Sequence, residues 1–243
     1  MKADPGAQRI LIDLADLDLQ IRHADHARRN PPQAAEVKNL LAQRQTMSAE
    51  LTRLQGERDD AQTELGRIES DVALVEARSR RDAERLAVAT NAKQAQSLEH
   101  EIASLAKRRS DLEDGELVVM ERLEAANAAL AAQEALIAQT NAEGARLSAE
   151  GKAAVADATE RFEAATRDRA ALAAKIPADL LGLYDRVAAR GNGAGLLEHR
   201  TCGACRMVLA GTDLQKIALA AEDDVVTCPE CGCILVRTYE SGL

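Results

Sequence analysis

A mostly α-helical chain, folded as a long antiparallel coiled-coil hairpin and ending in a small module of short β-strands, is what three features of this 243-residue sequence predict. Ala, Leu, Glu, Arg and Gln, all strong helix formers, dominate the composition, and aromatic bulk is nearly absent: there is no Trp, one Phe (Phe162) and two Tyr (Tyr184 and Tyr239). Two long stretches keep the alternating three-four spacing of apolar residues that lets one helix bury a seam against another. Beyond residue 176 that spacing stops, and glycines, short apolar runs and paired cysteines replace it.

The first helix carries Ile10, Leu14, Leu17, Ile21 and Ala24 in three-four spacing and ends at "NPP", Asn30 to Pro32. Proline there removes a helical N–H and crowds the preceding turn. The next seam runs Val37, Leu40, Arg44, Met47, Leu51, Leu54, Arg58, Ala61, Leu65, Ile68, Val72, Val75, Ser79, Asp82, Leu86. A matching seam runs Leu98, Ile102, Leu105, Arg109, Leu112, Glu116, Val119, Leu123, Ala126, Leu130, Gln133, Ile137, Thr140, Gly144, Leu147.

These seams fit a fold-back near Ala92 better than one long dimerising rod. Leu86 then faces Leu98, Leu54 faces Leu130, Met47 faces Ile137 and Val37 faces Leu147. Polar intruders mostly meet apolar or small residues, with Arg44 opposite Thr140 the exception. "TNAKQ" (Thr90 to Gln94) supplies Thr and Asn as turn former and N-cap. "EDG" (Glu113 to Gly115) is the competing turn, but the second seam passes through it without a phase shift. The first helix matches Ile176, Leu172, Arg169, Ala165 and Phe162, with a phase slip around Gly151 accommodating the proline break. Arms of roughly 80 residues span about 120 Å at about 1.5 Å per residue. The expected organisation is a hairpin over residues 1–176, broken near 30–32 and turning near 90–95, and a separate module over 177–243.

In that module "ADLLGLYDRVAAR" (Ala178 to Arg190) reads as an amphipathic helix ended by "GNGAG". Strand-like "LLEHRT", "MVL", "DVVT" and "CILVRTY" surround a helix, "TDLQKIALAA", whose expected cap is Thr212 or Asp213. The cysteines decide its chemistry. Cys202 and Cys205 form one C-x-x-C pair, Cys228 and Cys231 a second, twenty-two residues on. A two-residue gap lets both sulfurs of a pair reach one ion, and four thiolates suit tetrahedral Zn²⁺ in a structural site with no position open for water. These four are the expected ligands of one structural zinc ion, which supplies folding free energy to a module too small to hold itself together. Cys233 is an alternative to Cys231 or a strand side chain; His199 reads as a bystander. A thioredoxin-like role lacks the βαβ context it needs.

Net charge of −9 disfavours a general polyanion binder. No apolar run reaches membrane-spanning length, and "MKADPGAQRI" shows no apolar signal region, so the expected location is cytoplasmic. A basic group near the hairpin tip, Arg78, Arg80, Arg81, Lys107, Arg108 and Arg109, has two readings. It is a solvated face of Glu–Arg pairs, or a contact patch for an acidic partner or RNA. Arg186, Arg190, Arg206 and Arg237 extend the second reading to the module, against its excess of acidic side chains. No nucleophile triad, phosphate-binding glycine loop or paired-carboxylate site stands out, so the chain reads as non-enzymatic.

"LLGLYDRVAARGNGAGLLEHRTCGACRMVLAGTDLQKI" and the ending "VVTCPECGCILVR" resemble the bacterial family of C4-type zinc-ribbon proteins with an N-terminal coiled-coil hairpin, a domain-of-unknown-function family. The resemblance is most specific over Leu180 to Arg237. The family's turn segment typically reads T-N-K-E-Y, where this chain has Ala92, Lys93 and Gln94. An arginine is common where Cys233 stands. The resemblance implies zinc ligands at Cys202, Cys205, Cys228 and Cys231 and a non-enzymatic, cytoplasmic adaptor or regulator with protein partners. Some relatives are tied to flagellar gene regulation or secretion through proteins and RNA.

Overall fold

A computed structural model describes all residues, 1–243. Three long helices come first: α1 (Pro5–Arg29), α2 (Ala34–Ala87) and α3 (Ala92–Ala173). The short helix α4 (Ala178–Ala188) follows. Then come β1 (Ala194–Glu198), β2 (Thr201–Cys202), α5 (Gly211–Leu219), β3 (Val226–Thr227), β4 (Ile234–Val236) and a 3₁₀ turn at Tyr239–Ser241. Two compact units emerge: one is Ala35–Ser148, the other combines Met1–Ala34 with Ala149–Leu243.

In the Ala35–Ser148 unit, the chain reverses between Ala87 and Ala92, as the seams require. Asn91 caps α3, its side-chain oxygen accepting from the Lys93 N–H at 2.9 Å. The helix continues unbroken through Glu113–Gly115. Every buried side chain of this unit belongs to an expected seam: Leu54, Ala61, Leu65, Val75 and Asp82 on α2, Leu98, Leu105 and Val119 on α3. Cross-arm contacts fix the register. The Gln133 amide donates to the Met47 carbonyl at 3.0 Å, and Thr140 Oγ1 lies 3.5 Å from Met47 Sδ, bracketing the expected Met47–Ile137 level. Arg109 pairs with Glu76 and Arg122 with Glu64 across the arms. Asp82 is the one buried charge in the seam, flanked by Arg78 and Arg85 of its own helix.

In the other unit, Asp4 caps α1 by accepting from the Ala7 N–H at 3.1 Å, with Pro5 at the first helical position. The helix stops at Asn30, ahead of the two prolines. Gly151 is buried there, and a Cβ on it would meet Gln33 at 3.7 Å, so the expected phase slip lies against the proline break. A core of Leu11, Leu14, Ile176, Leu180, Tyr184 and Ile234 ties α1, α4 and β4 together. Leu11, rather than Ile10, is fully buried at this end, because the core here is set by α4 and the sheet and not by a two-helix seam. Arg169, expected level with Leu17, pairs with the adjacent Asp18.

The strands form one sheet of order β2-β1-β4-β3, with β1 and β4 parallel and the outer pairs antiparallel. The chain's start lies against this sheet: Ala3 N–H donates to Asp223 O at 2.8 Å and Val225 N–H to Met1 O at 3.0 Å. A second core, Leu197, Leu209, Leu214, Ile217 and Leu235 with Cys202, Cys228 and Cys233, lies under α5. The cap of α5 is Ala210 without a side-chain bond, correcting the expectation of Thr212 or Asp213, which sit inside the first turn. No helix is long and apolar enough to cross a membrane.

Candidate metal centre

The two C-x-x-C segments fold into the same turn. Cys202 N–H donates to Met207 O and Arg206 N–H returns to Cys202 O; Cys228 N–H donates to Cys233 O and Gly232 N–H returns to Cys228 O. The residue after each pair must adopt left-handed backbone, with φ 61° at Arg206 and 75° at Gly232. Glycine takes that conformation freely and arginine does not. Gly203 completes the first turn, donating to Leu196 O at 2.8 Å; a Cβ there would lie 2.8 Å from that same oxygen.

These turns bring Cys202, Cys205, Cys228 and Cys231 Sγ atoms within 4.8 Å of one another. Cys202 and Cys231 are 4.0 Å apart, Cys205 and Cys228 3.9 Å. Four thiolates about 2.3 Å from a tetrahedral zinc lie about 3.8 Å from each other, so the set fits Zn²⁺ and is too open for disulfides. Among the bare thiols, burial pushes Cys228 up to about 12. Burial also works against a Cys231 thiolate, but the Cys233 N–H and neighbouring thiols donate to it and bring it down to about 7. The site needs all four deprotonated, so zinc binding releases protons. With four sulfurs on the ion, the centre is structural and offers no coordination position to a substrate.

Cys233 stands beside this set and outside it. It is buried, with its Sγ 3.5 Å from that of Cys202. His199 is exposed in the turn between β1 and β2, where it and Arg200 both have positive φ.

The expected contact arginines divide. Arg78 pairs with Glu101 and Asp82, Arg109 with Glu76 and Glu113. Arg80, Arg81, Lys107 and Arg108 are exposed and make no ion pair; Arg81 Nε donates to Ala77 O. Arg186, Arg190 and Arg206 are exposed on the module. Arg237 is engaged internally: its guanidinium donates to the carbonyls of Ile217, Ala220, Ala221, Glu222 and Asp224, closing the C-terminal end of α5. Its donors are used, so it leaves the set of outward contacts.

Sequence reasoning missed one half-buried network. Tyr184 Oη donates to Asp18 at 2.7 Å, Arg169 Nε donates to Asp18 at 2.6 Å, and Arg169 Nη2 reaches Asp185 at 2.8 Å. Burial, then the Asp18 carboxylate, holds the Tyr184 phenol far above its ordinary range, so it stays a donor. The lone aromatic in an alanine-rich stretch was the available signal.

The CT398-like coiled coil hairpin domain matches residues 14–192, and the C4-type zinc ribbon domain matches residues 201–235. The chain is 36% identical over 239 residues to the Mycobacterium tuberculosis protein Rv2229c, covering 98% of both. It is 29% identical over 227 residues to ML1638 of Mycobacterium leprae, covering 91% of this chain and 96% of that one. A solved Mycobacterium smegmatis structure superposes with a TM-score of 0.81 at 32% identity, covering 98% of this chain and all of the other. CT398 of Chlamydia trachomatis shares the fold at a TM-score of 0.61 and 15% identity, with 96% and 98% covered. The chain therefore belongs to the family of CT398-like coiled-coil hairpin proteins that carry a C4-type zinc ribbon.

Proposed function

We propose that this zinc-binding protein is a non-enzymatic adaptor, its helical hairpin and its ribbon each offering surfaces to protein partners. The observation that carries the reading is a set of large apolar side chains left outside the seams. Leu74 is 65% exposed, Leu117 60% and Val118 65%. A hairpin already satisfied by its own seam has no internal use for them, and exposed apolar groups of this size suit protein contacts. The closed sulfur site supports the same reading, since it leaves no open metal position for chemistry.

Crosslinking mass spectrometry in cells tests this directly. Reproducible heterologous crosslinks near Leu74 and Leu117 are expected, lost when both are changed to Ser in a variant of unchanged helicity. Recovery of intramolecular crosslinks alone, across growth conditions, would remove the adaptor reading.

A second reading, nucleic-acid binding, draws on one specific feature: Arg80, Arg81, Lys107 and Arg108 have no acidic partner. Binding through them falls steeply with salt, as counterion release demands. A gel shift insensitive to ionic strength, or unaffected by changing all four to Gln, would exclude it.

A further inference from the structure

We propose that Cys233 is a resolving thiol for peroxide modification of the zinc centre, so that the oxidised protein ends with a Cys202–Cys233 disulfide and without its metal. This rests on the zinc centre and stands apart from the adaptor reading.

Exposure and distance divide the five thiols into roles. Cys231 is the exposed ligand, whereas Cys202, Cys228 and Cys233 are buried. A hydroperoxide such as H₂O₂ therefore meets the Cys231 sulfur first. The thiolate attacks one peroxide oxygen, an S–O bond forms, the O–O bond breaks and hydroxide leaves, giving the sulfenic acid. Cys202, 4.0 Å away, is the neighbouring ligand thiolate placed to attack that sulfur. An S–S bond forms, the S–O bond breaks and a second hydroxide leaves. Two ligands are then lost and Cys205 and Cys228 alone hold the ion, so zinc departs.

At that point the fifth thiol matters. Cys233 Sγ lies 3.5 Å from Cys202 Sγ, closer than Cys231 lies to Cys202 or Cys228 to Cys205. Its attack on Cys202 forms the Cys202–Cys233 bond, and Cys231 leaves as a thiolate that takes the proton Cys233 gives up. Overall, one peroxide is reduced to two hydroxides and two cysteine thiolates become one disulfide. The product is buried at Cys202 and Cys233, and the exposed Cys231 is returned to the reduced state. The attack by Cys202 removes the sulfenic acid before it reaches the irreversible sulfinic state, and the exchange with Cys233 then moves the disulfide from the exposed Cys231 into the buried pair. A four-cysteine site without Cys233 has no such exit.

The test uses the full-length zinc-loaded protein and H₂O₂ at one to five equivalents. Zinc release is read with a chromogenic indicator, and disulfides are mapped by peptide mass spectrometry without reduction. The expected result is one zinc released per Cys202–Cys233 disulfide, with Cys231 recovered as a free thiol. Addition of a dithiol and zinc then restores the centre. Cys233→Ser and Cys233→Ala, both retaining four ligands, should still release zinc but stop at the Cys202–Cys231 disulfide, with at least several-fold less Cys231 recovered as a free thiol. A wild-type map showing Cys202–Cys231 or Cys205–Cys228 as the end product, with Cys202–Cys233 absent, overturns the proposal whatever the variants do. Recovery of Cys231 as a free thiol in equal yield from wild type and from a zinc-loaded Cys233 variant overturns it as well.

Discussion

The ring of Tyr184 occupies the space that a side chain on Gly193 would need: a Cβ there would lie 2.3 Å from Cε2 and 2.5 Å from Cζ. Tyr184 cannot retreat, because its ring is fully buried in the α1–α4 core and its hydroxyl is held by Asp18. Gly193→Ala should therefore destabilise the Met1–Ala34/Ala149–Leu243 unit by about 1–3 kcal/mol or more, the range for overpacking a filled core. Denaturant unfolding followed by tyrosine fluorescence, to which the exposed Tyr239 adds a background, would measure it. The same change at Gly191, which has open space around it, is the control and should stay within about 0.5 kcal/mol.

Tyr184→Phe keeps the ring and removes only its donor to Asp18. A bond to a charged acceptor of this kind contributes about 1.5–3 kcal/mol. Asp18→Ala should cost more than Tyr184→Phe, since it strips the main partner from Arg169 and leaves only exposed Asp185 to meet that cation. A double-mutant cycle on Tyr184 and Asp18 would report the coupling; an interaction energy near zero would show that the bond carries no stability.

Arg237 separates a structural from a recognition role. Arg237→Lys keeps the charge but replaces a planar fork by a point donor unable to reach five carbonyls at once. It should loosen the segment after α5, from Ala220 to Val225, and raise amide exchange there and at Ala3, which bonds to Asp223. Were Arg237 an outward contact, the same variant would leave exchange unchanged.

Legibility followed the physics of each part. The hairpin was readable because a two-helix seam is periodic: one buried residue recurs every three or four, and each of the buried positions from Leu54 to Val119 falls on it. The zinc ligands were readable because thiolate chemistry needs its spacing. Periodicity failed where more than two elements meet. Leu11 is buried by α4 and β4 together, and Asp18 finds Arg169 and Tyr184 through three helices, so no single-helix pattern announces either. Arg237 was misread as outward for a related reason: arginine on a strand looks alike whether it meets solvent or a helix end. The cap of α5 misled because Thr212 and Asp213 are good caps by type, while the helix already begins at Gly211, ahead of both.

Metal removal should separate the two units. The seams of Ala35–Ser148 contain no zinc ligand, whereas Cys202 and Cys228 are part of the core beneath α5. A strong chelator at neutral pH should abolish amide protection from Leu196 to Val236 while leaving most far-ultraviolet helical signal. Lowering the pH acts in the same direction, because protons compete with zinc for four thiolates. Loss of helicity in parallel with zinc would show instead that the hairpin depends on the ribbon.

Fold-back near Ala92 makes a prediction that no dimeric rod shares. Met47 receives the Gln133 amide on its carbonyl and the Thr140 hydroxyl on its sulfur, which sets it level with Ile137 on the opposite arm. Paired helices pack with axes about 8–10 Å apart, so spin labels on Met47→Cys and Ile137→Cys should give a short distance, within roughly 20 Å once label linkers are added. The native cysteines are held by zinc or buried, so labelling is done on the metal-loaded protein and checked by mass. Dilution with a large excess of unlabelled protein distinguishes the sources of a short distance. A hairpin keeps it unchanged, whereas a two-chain rod loses it in proportion to the dilution.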